Sequence, residues 1–143
     1  MSALDQLHKK TRRVAETKLG GDEDVIAIFS GRSKQAMIVT DRQVLIVKPG
    51  SMAGAALGAK ATSFSFPSIT RINVHTGPGF AALEVVATGY PAAEKPDLRA
   101  AYQLPNWLPC HRSVGASPLV GELRTYVLSG GQARSARAAL SDA

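Results

Sequence analysis

VIAIFSGRSKQAMIVTDRQVLIVKP, residues 25–49, is the stretch of sequence that decides the fold. It contains three short runs of β-branched and aromatic residues, at 25–29, 36–39 and 44–47, separated by breaks at residues 31–34 and 41–42. Runs this short, bounded by turn residues, predict antiparallel strands, because a helix needs a longer periodic segment. The last run stops at Pro49-Gly50.

More strands are predicted downstream. Residues 50–61 are rich in Gly and Ala and are expected to form a flexible loop. Phe64 and Phe66 are two residues apart, so they share one face of a strand. The polar and apolar residues of 71–75 alternate, as in a half-buried strand, and residues 76–79 form a turn. In the next strand, alternate residues from 81 to 87 share a face.

Two helices flank the strands. The first is predicted over residues 3–19, with Ser2 as its N-cap and Gly20-Gly21 as its end. The second begins after Ser117-Pro118 and ends before Gly130. Its residues 119, 120, 123, 126 and 127 form one apolar stripe, so this helix is expected to cover the open mouth of a bent sheet. Four prolines exclude a long helix from residues 89–116, which are expected to be extended.

Size and composition indicate one globular domain. The chain has 143 residues, of which 45% are hydrophobic and 20% charged. Its single cysteine, Cys110, cannot form a disulfide framework or a cysteine-rich zinc site. No segment reaches the roughly 18 apolar residues of a membrane helix, and charges interrupt the first residues, so a signal peptide is not predicted. A cytoplasmic location is the expectation.

Positive charge is concentrated in the first half of the chain. The net charge is +6; residues 1–72 carry 11 basic and 6 acidic side chains, whereas residues 73–143 carry 6 and 5. Such an imbalance is compatible with contact with nucleic acid or anionic lipid, but the preferred interpretation is that moderate positive charge keeps the protein soluble. The candidate anion-binding residues are Lys9, Lys10, Arg12 and Arg13 in the first helix, and Arg32, Lys34 and Arg42 in the strand region.

The motifs in this order resemble those of bacterial pleckstrin-homology-like domains. Residues 39–45, VTDRQVL, are similar to the TDRRL hairpin of that family, and residues 64–72, FSFPSITRI, are similar to its next hairpin. The turn TGPG at 76–79 and the segment PNWLP at 105–109 also match in order and spacing. The resemblance covers roughly residues 22–129.

The resemblance implies a mixed, mainly antiparallel β fold: a bent barrel of about seven strands, closed at one end by a C-terminal helix. It implies non-catalytic binding or scaffolding, often with self-association. Together with the first predicted helix and the small, polar residues at the end of the chain, it divides the sequence into an N-terminal helix (1–20), a pleckstrin-homology-like domain (21–130) and a disordered tail (131–143). Eukaryotic relatives bind phosphoinositides through a basic loop between the first two strands. Here that loop has only Arg32 and Lys34, so phosphoinositide binding is not favoured.

Motifs for catalysis fail on spacing. Residues 54–60, GAALGAK, lack the phosphate-loop spacing and a following helix. Residues 77–82 resemble a dinucleotide fingerprint but are followed by breaks too early for a βαβ unit. Cys110 and the histidines show no arrangement that favours catalysis over packing. Glu84, inside an apolar strand, is expected to face solvent or to meet a basic side chain such as Arg71 across the ladder.

The sequence therefore predicts a binding or scaffolding domain with no catalytic residue, metal ligand or cofactor. The expected partner is a protein segment or a second copy of the chain. Two ways of docking are open: strand addition to an exposed sheet edge, and ordering of the loop at residues 50–61 on the partner. The alternative is weak binding of anionic lipid or nucleic acid through the basic residues named above.

Overall fold

The computed structural model describes residues 3–49 and 59–143 and contains two antiparallel sheets. The first has the order β1 (Val25–Ser30), β2 (Ala36–Thr40), β3 (Gln43–Pro49) and β4 (Ala59–Ser65). The second has the order β5 (Ile69–Thr76), β6 (Ala81–Ala87) and β7 (Trp107–Cys110). The described α-helices are α1 (Lys9–Lys18), α2 (Arg112–Gly115), α3 (Leu119–Leu128) and α4 (Arg134–Ser141). The three strands predicted between residues 25 and 47 are confirmed.

The β2–β3 turn shows how local sequence produces this hairpin. Val39 pairs with Val44, so the turn between the strands is tight. The Thr40 hydroxyl oxygen accepts hydrogen bonds from the backbone N–H groups of Arg42 (3.1 Å) and Gln43 (3.0 Å). A side-chain acceptor thus satisfies two turn donors that the ladder cannot reach.

The main core lies between the inner faces of the two sheets and is covered by α3. Along β6, Leu83 and Val85 point into this core with the alternation that the sequence predicts. Val120, Leu123, Tyr126 and Val127 form the buried side of α3, which confirms the apolar stripe. Phe64 and Phe66 both enter the core, although Phe66 already belongs to a 3₁₀ turn, Phe66–Ser68.

The N-terminal helix is shorter than predicted. Residues Ala3–Gln6 form a 3₁₀ turn, and α1 starts only at Lys9, where the ring nitrogen of His8 accepts from the Lys10 N–H (3.4 Å). The proposed cap Ser2 lies outside the described residues. The helix ends where it was predicted to end, before Gly20, but the extended conformation of Leu19 ends it and not a left-handed glycine. The helix packs on the outer face of the first sheet through Ala15 and a second apolar cluster.

The two least regular segments also differ from the predictions. Between β6 and β7 the chain crosses the second sheet with a 3₁₀ turn, Leu98–Tyr102, and then pairs as β7. The tail expected to be disordered forms α4, because Ala136 and Leu140 bury one side of it in the main core. Residues 59–61 belong to β4, whereas the rest of the Gly/Ala-rich loop, residues 50–58, lies outside the described part.

Candidate functional site

The outer edge of β1 carries backbone groups that point away from the sheet. The Gly31 N–H donates to the Gln35 carbonyl (2.8 Å), and this bond shows which residues of β1 form hydrogen bonds to β2. Because hydrogen-bonded pairs alternate in an antiparallel ladder, Ile28 and Ser30 direct their N–H and C=O groups away from β2. In residues 3–49 and 59–143, no hydrogen bond reaches these outward groups of Ile28 and Ser30.

A groove lies along this edge because β1 and β7 meet at one point and then separate. The Arg32 N–H donates to the Pro109 carbonyl (2.7 Å) on the outward side of β1. Two residues later β7 gives way to α2 and α3. Two neighbouring cavities of about 300 and 310 Å³ follow β1 from this point, and both are lined by Ile28, Phe29 and Leu119.

The groove has apolar walls and a hydroxyl-bearing rim. Val114 extends the apolar wall near Ser30, and Leu140 extends it at the other end. Ser113, Ser117 and Ser141 border the same space. Apolar pockets beside unpaired strand groups are the features that strand-addition sites combine.

The edge of the second sheet is occupied differently. The Arg124 side chain of α3 donates through Nε to the Ile72 carbonyl of β5 (2.7 Å). This contact places α3 against β5 and uses one of the strand's carbonyls. At Ile28 and Ser30 of β1, by contrast, no contact of this kind with the outward backbone groups is present in the described residues.

Three of the predicted anion-binding arginines are engaged within the protein. Arg32 donates through Nε to the Tyr102 hydroxyl (2.7 Å), and its guanidinium lies 5.2 Å from the centre of the Phe80 ring. Arg42 forms a two-pronged contact with the Asp22 carboxylate at 2.9 and 3.3 Å. This contact lowers the pKa of Asp22 and raises that of Arg42.

The third of these arginines lies on α1. Arg12 forms ion pairs with Asp5 (3.4 Å) and Glu16 (3.8 Å). Together these contacts assign the three arginines to separate places on the surface rather than to one site.

The structure brings two of the remaining cations together. The Thr11 hydroxyl donates to the Lys34 carbonyl (2.9 Å), which holds α1 against the β1–β2 loop. Lys10 and Lys34 therefore line the same cleft of about 240 Å³, with His8 and Ser33. Lys9 and Arg13 are exposed on α1. Below, this cleft is called the basic cleft.

A lysine that the sequence analysis did not single out is buried at the end of the barrel. Lys48 is 1% exposed, and its Nζ donates to the Gln35 side chain (2.6 Å) and to the carbonyls of Ala101 (2.8 Å) and Trp107 (2.6 Å). Burial lowers the pKa of Lys48 to about 7. The three acceptors match the three donors of an ammonium group.

Glu84 is also buried, so the prediction that it faces solvent was wrong; the basic side chain that it meets on the neighbouring strand β5 is His75 and not Arg71. Its carboxylate accepts from the backbone N–H of Ala93 (2.9 Å) and from the Asn73 side chain (3.2 Å), and it lies 2.9 Å from Nε2 of His75. Burial acts to raise the pKa of Glu84, but these hydrogen bonds outweigh it and lower the pKa. The prediction failed because the chain after β6 covers this face of the sheet.

The cysteine and two of the histidines are engaged in packing or in local contacts. Cys110 is buried, and burial raises the pKa of its thiol to about 11, so it carries no thiolate near neutral pH. His75 is stacked on Trp107 with 4.7 Å between ring centres, while His111 contacts Ser113. In the part of the chain that the structure describes, no group of His, Cys, Asp and Glu is placed to hold a metal ion. No helix of that part is long and apolar enough to cross a membrane.

Comparison with known proteins identifies the architecture. No protein-family model matches the chain, and no curated protein sequence matches it either. The fold is similar to the crystal structure of a pleckstrin homology domain from Shewanella amazonensis SB2B, with a TM-score of 0.51 and 14% sequence identity. The match covers 92% of this chain and 91% of that one. This chain therefore has the pleckstrin-homology-like fold.

Proposed function

We propose that this domain binds an extended segment of a partner protein in the groove beside β1, where the segment adds a strand to the first sheet. The observation that supports this proposal is the pair of outward-facing residues, Ile28 and Ser30, with backbone groups that no described residue bonds. A partner strand satisfies these donors and acceptors with its own main chain. Main-chain bonding of this kind provides affinity without requiring a particular sequence.

The cavities provide the sequence preference. Phe29, Leu119 and Val114 form an apolar pocket of about 300 Å³ beside the outward backbone groups. Burying an aliphatic side chain in such a pocket contributes about 1.5–3 kcal/mol. Alternate residues of an added strand point to the same side, so one aliphatic residue fits here and its neighbour remains in solvent. The preferred segment is therefore extended, with an aliphatic residue as its anchor.

A proline substitution tests the backbone contact directly. Ser30→Pro removes the outward N–H, whereas the β1–β2 ladder does not use that group. Peptides are first selected on the wild-type protein from a displayed library of short random sequences. Their affinities for Ser30→Pro and for the control Ser30→Ala are then measured by fluorescence anisotropy.

The two variants are expected to behave differently. A net main-chain hydrogen bond contributes about 1 kcal/mol, so Ser30→Pro weakens binding roughly fivefold or more. Ser30→Ala retains the N–H and binds as wild type does. Equal affinity of both variants, each with unchanged thermal stability, places the peptide elsewhere and refutes the proposal. Light-scattering mass at low and high salt shows whether a second copy supplies the segment.

The basic cleft supports a second candidate function, the binding of a phosphate-bearing surface. Lys10 and Lys34 come from different elements and face one space, and an exposed basic surface of α1 continues from it. Two cations around one cleft can hold a phosphate group, and such binding weakens steeply as salt screens the charges.

Vesicle binding tests this candidate. The double variant Lys10→Gln/Lys34→Gln is compared with Lys18→Gln, which removes an exposed charge from the other end of α1. Binding to vesicles of phosphatidylcholine with phosphatidylserine is expected to be lost only in the double variant. Binding of the same variants to a single-stranded oligonucleotide is measured in parallel, to test whether the cleft binds nucleic acid. Equal binding by both variants excludes the basic cleft as the binding site.

A further inference from the structure

Arg32 carries a guanidinium group that is held at one end and unbonded at the other. Its Nε donates to the Tyr102 hydroxyl (2.7 Å), and its Cζ lies 5.2 Å from the centre of the Phe80 ring. In residues 3–49 and 59–143, no hydrogen bond or ion pair reaches its Nη1 or Nη2. Arg32 is exposed, so these two nitrogens are accessible to a ligand.

The two rings that hold the guanidinium are themselves fixed. The ring of Tyr102 packs against that of Phe80, with 5.5 Å between centres and 60° between planes. The Tyr102 carbonyl accepts from the side chain of the buried Gln35 (3.0 Å). A Cβ added at Gly77 would lie 2.3 Å from Cδ1 of Leu98, so the turn before Phe80 packs closely on the 3₁₀ turn that contains Tyr102. The guanidinium therefore needs little further ordering to bind a ligand.

The groups of this site that remain free are hydrogen-bond donors. Nη1 and Nη2 form the fork with which arginine binds both oxygens of one carboxylate. The Tyr102 hydroxyl accepts from Nε, and no described residue accepts its own proton, so it can donate to the same ligand. Leu104, which is 37% exposed, is bonded to this 3₁₀ turn through the Ala100 carbonyl and adds apolar surface. Arginine and tyrosine are among the residues that contribute most binding energy at protein interfaces.

The surrounding charges favour a single carboxylate over a polyanion. Residues 88–106, which contain Tyr102, carry two basic and two acidic side chains, so their charges cancel. Lys34, two residues after Arg32, lines the basic cleft with Lys10 instead. A nucleic acid or an anionic membrane needs several cations on one surface, whereas one carboxylate needs one guanidinium.

We propose that Arg32, Tyr102 and Phe80 form a docking site for an acidic segment of a partner protein. The guanidinium fork binds the carboxylate of a Glu or Asp side chain, and a neighbouring apolar residue of the segment packs on the exposed surface of Phe80 and Leu104. None of these residues lines the two cavities beside β1, so this site does not depend on strand addition there.

Peptide selection tests whether the site prefers a carboxylate. A displayed library of short random peptides is selected on the full chain and counter-selected on Arg32→Gln, which removes peptides that bind only in the groove beside β1. The retained peptides are expected to share a Glu or Asp next to an aliphatic or aromatic residue. If no peptide is retained, or if the retained peptides have no acidic residue in common, the proposal is overturned and strand addition at β1 is unaffected.

The affinity of one retained peptide, measured by fluorescence anisotropy, tests the contact itself. Arg32→Gln, or replacement of the peptide's acidic residue by its amide, is expected to weaken binding about tenfold, and the combination weakens it no further. Arg32→Lys retains the charge but loses the fork, and Tyr102→Phe retains the charge but releases Nε, so both weaken binding several-fold. Arg71→Gln is the control, because it removes an exposed charge from β5, and it binds as wild type does.

Three results would overturn the contact. Equal weakening by Arg32→Gln and Arg71→Gln means that the peptide responds only to the overall charge. If replacing the peptide's acidic residue weakens binding equally in wild type and Arg32→Gln, the carboxylate binds elsewhere. A single-stranded oligonucleotide that binds wild type more tightly than the acidic peptide does, and loses binding in Arg32→Gln, assigns the site to phosphate.

Discussion

The Nζ of Lys48 lies 2.6 Å from the carbonyl oxygen of Trp107, so a buried lysine of the first sheet is bonded to the backbone of the second. The same Nζ bonds the Ala101 carbonyl in the 3₁₀ turn between β6 and β7. One side chain thus ties β3, β7 and the crossing segment together at the end of the barrel. All three of its acceptors are neutral, so no opposite charge offsets the burial of the ammonium group.

Burial of this lysine makes the stability of the fold depend on pH. The pKa of Lys48 is about 7 in the folded protein and near 10.5 when the side chain is in water. Between these values the unfolded chain holds the proton that the folded chain has released. The free energy of unfolding therefore rises with pH from about 7 to 10.5, by on the order of 1 kcal/mol per pH unit. Urea unfolding across this range measures the slope.

Lys48→Met is expected to remove most of that rise. The matched control is Lys60→Met, which removes the charge from the cross-strand neighbour of Lys48, an exposed residue. The control retains the slope of the wild type. A slope that is the same in all three proteins means that Lys48 remains charged in the folded state throughout.

Glu84 makes the free energy of unfolding rise with pH in the acid range, in the same direction as Lys48 does in the alkaline range. The pKa of Glu84 lies below the ordinary value of 4.5, so its stabilising contribution is complete above that value and is lost as the pH falls through the lower pKa of the folded state. Glu84→Gln is expected to destabilise the fold by about 1–3 kcal/mol at pH 7, because the amide cannot accept all the bonds of the carboxylate.

The free energy of unfolding, measured as a function of pH in the acid range, checks this prediction. Below pH 4.5 the profile of Glu84→Gln is expected to be flatter than that of wild type. Glu94→Gln, at an exposed position in the following segment, retains the wild-type profile. If the free energy of unfolding falls equally steeply below pH 4.5 in all three proteins, Glu84 does not have a lowered pKa in the folded protein.

The predictable part of this molecule is the part that depends on neighbours in sequence. The alternation along Leu83 and Val85 and the stripe of α3 were sufficient to place the core, because period two and period 3.6 are local properties. The burial of Lys48 could have been predicted from the sequence, because Lys48 follows Val44 and Ile46 at alternate positions on the inward face of β3. The sequence signal for the burial of Glu84 was weaker. It is the nearly continuous apolar character of β6, which is typical of a strand buried on both faces, and every residue of β6 is buried.

The candidate groove was less accessible to sequence reasoning. An exposed edge strand was predicted, but its position beside Leu119 and Leu140 depends on packing between elements more than 80 residues apart. The engagement of Arg32 by Tyr102 and of Arg42 by Asp22 depends likewise on tertiary contacts. A count of basic residues gives their charge but not their partners.

Tyr126 offers a stabilising substitution. Its hydroxyl is buried and has no hydrogen-bond partner within residues 3–49 and 59–143, while its ring packs edge-on against Phe66. Tyr126→Phe retains the ring and removes the unsatisfied group, so the free energy of unfolding is expected to rise by about 1 kcal/mol. Tyr102→Phe is the contrast, because it loses the bond from Arg32 and gains nothing. Thermal unfolding of both variants decides, and a lower midpoint for Tyr126→Phe contradicts the prediction.

Gly31 controls the contact from which the groove starts. A Cβ at this position would lie 2.5 Å from Cδ1 of Leu108 and 2.8 Å from the Pro109 carbonyl oxygen. The leucine can move, but the backbone oxygen is held by the Arg32 N–H. Gly31→Ala therefore forces β1 and β7 apart and is expected to destabilise the fold by about 1–3 kcal/mol.

The amide of Arg32 reports this separation. In Gly31→Ala its hydrogen exchange is expected to be faster than in wild type, since the bond to Pro109 is strained or lost. Gly79→Ala is the control, because a Cβ there meets nothing within 4 Å. If Gly31→Ala matches Gly79→Ala in both stability and Arg32 exchange, the two strands tolerate a wider spacing. The junction then does not define the end of the groove, and a bound segment can continue past Ser30 toward β7.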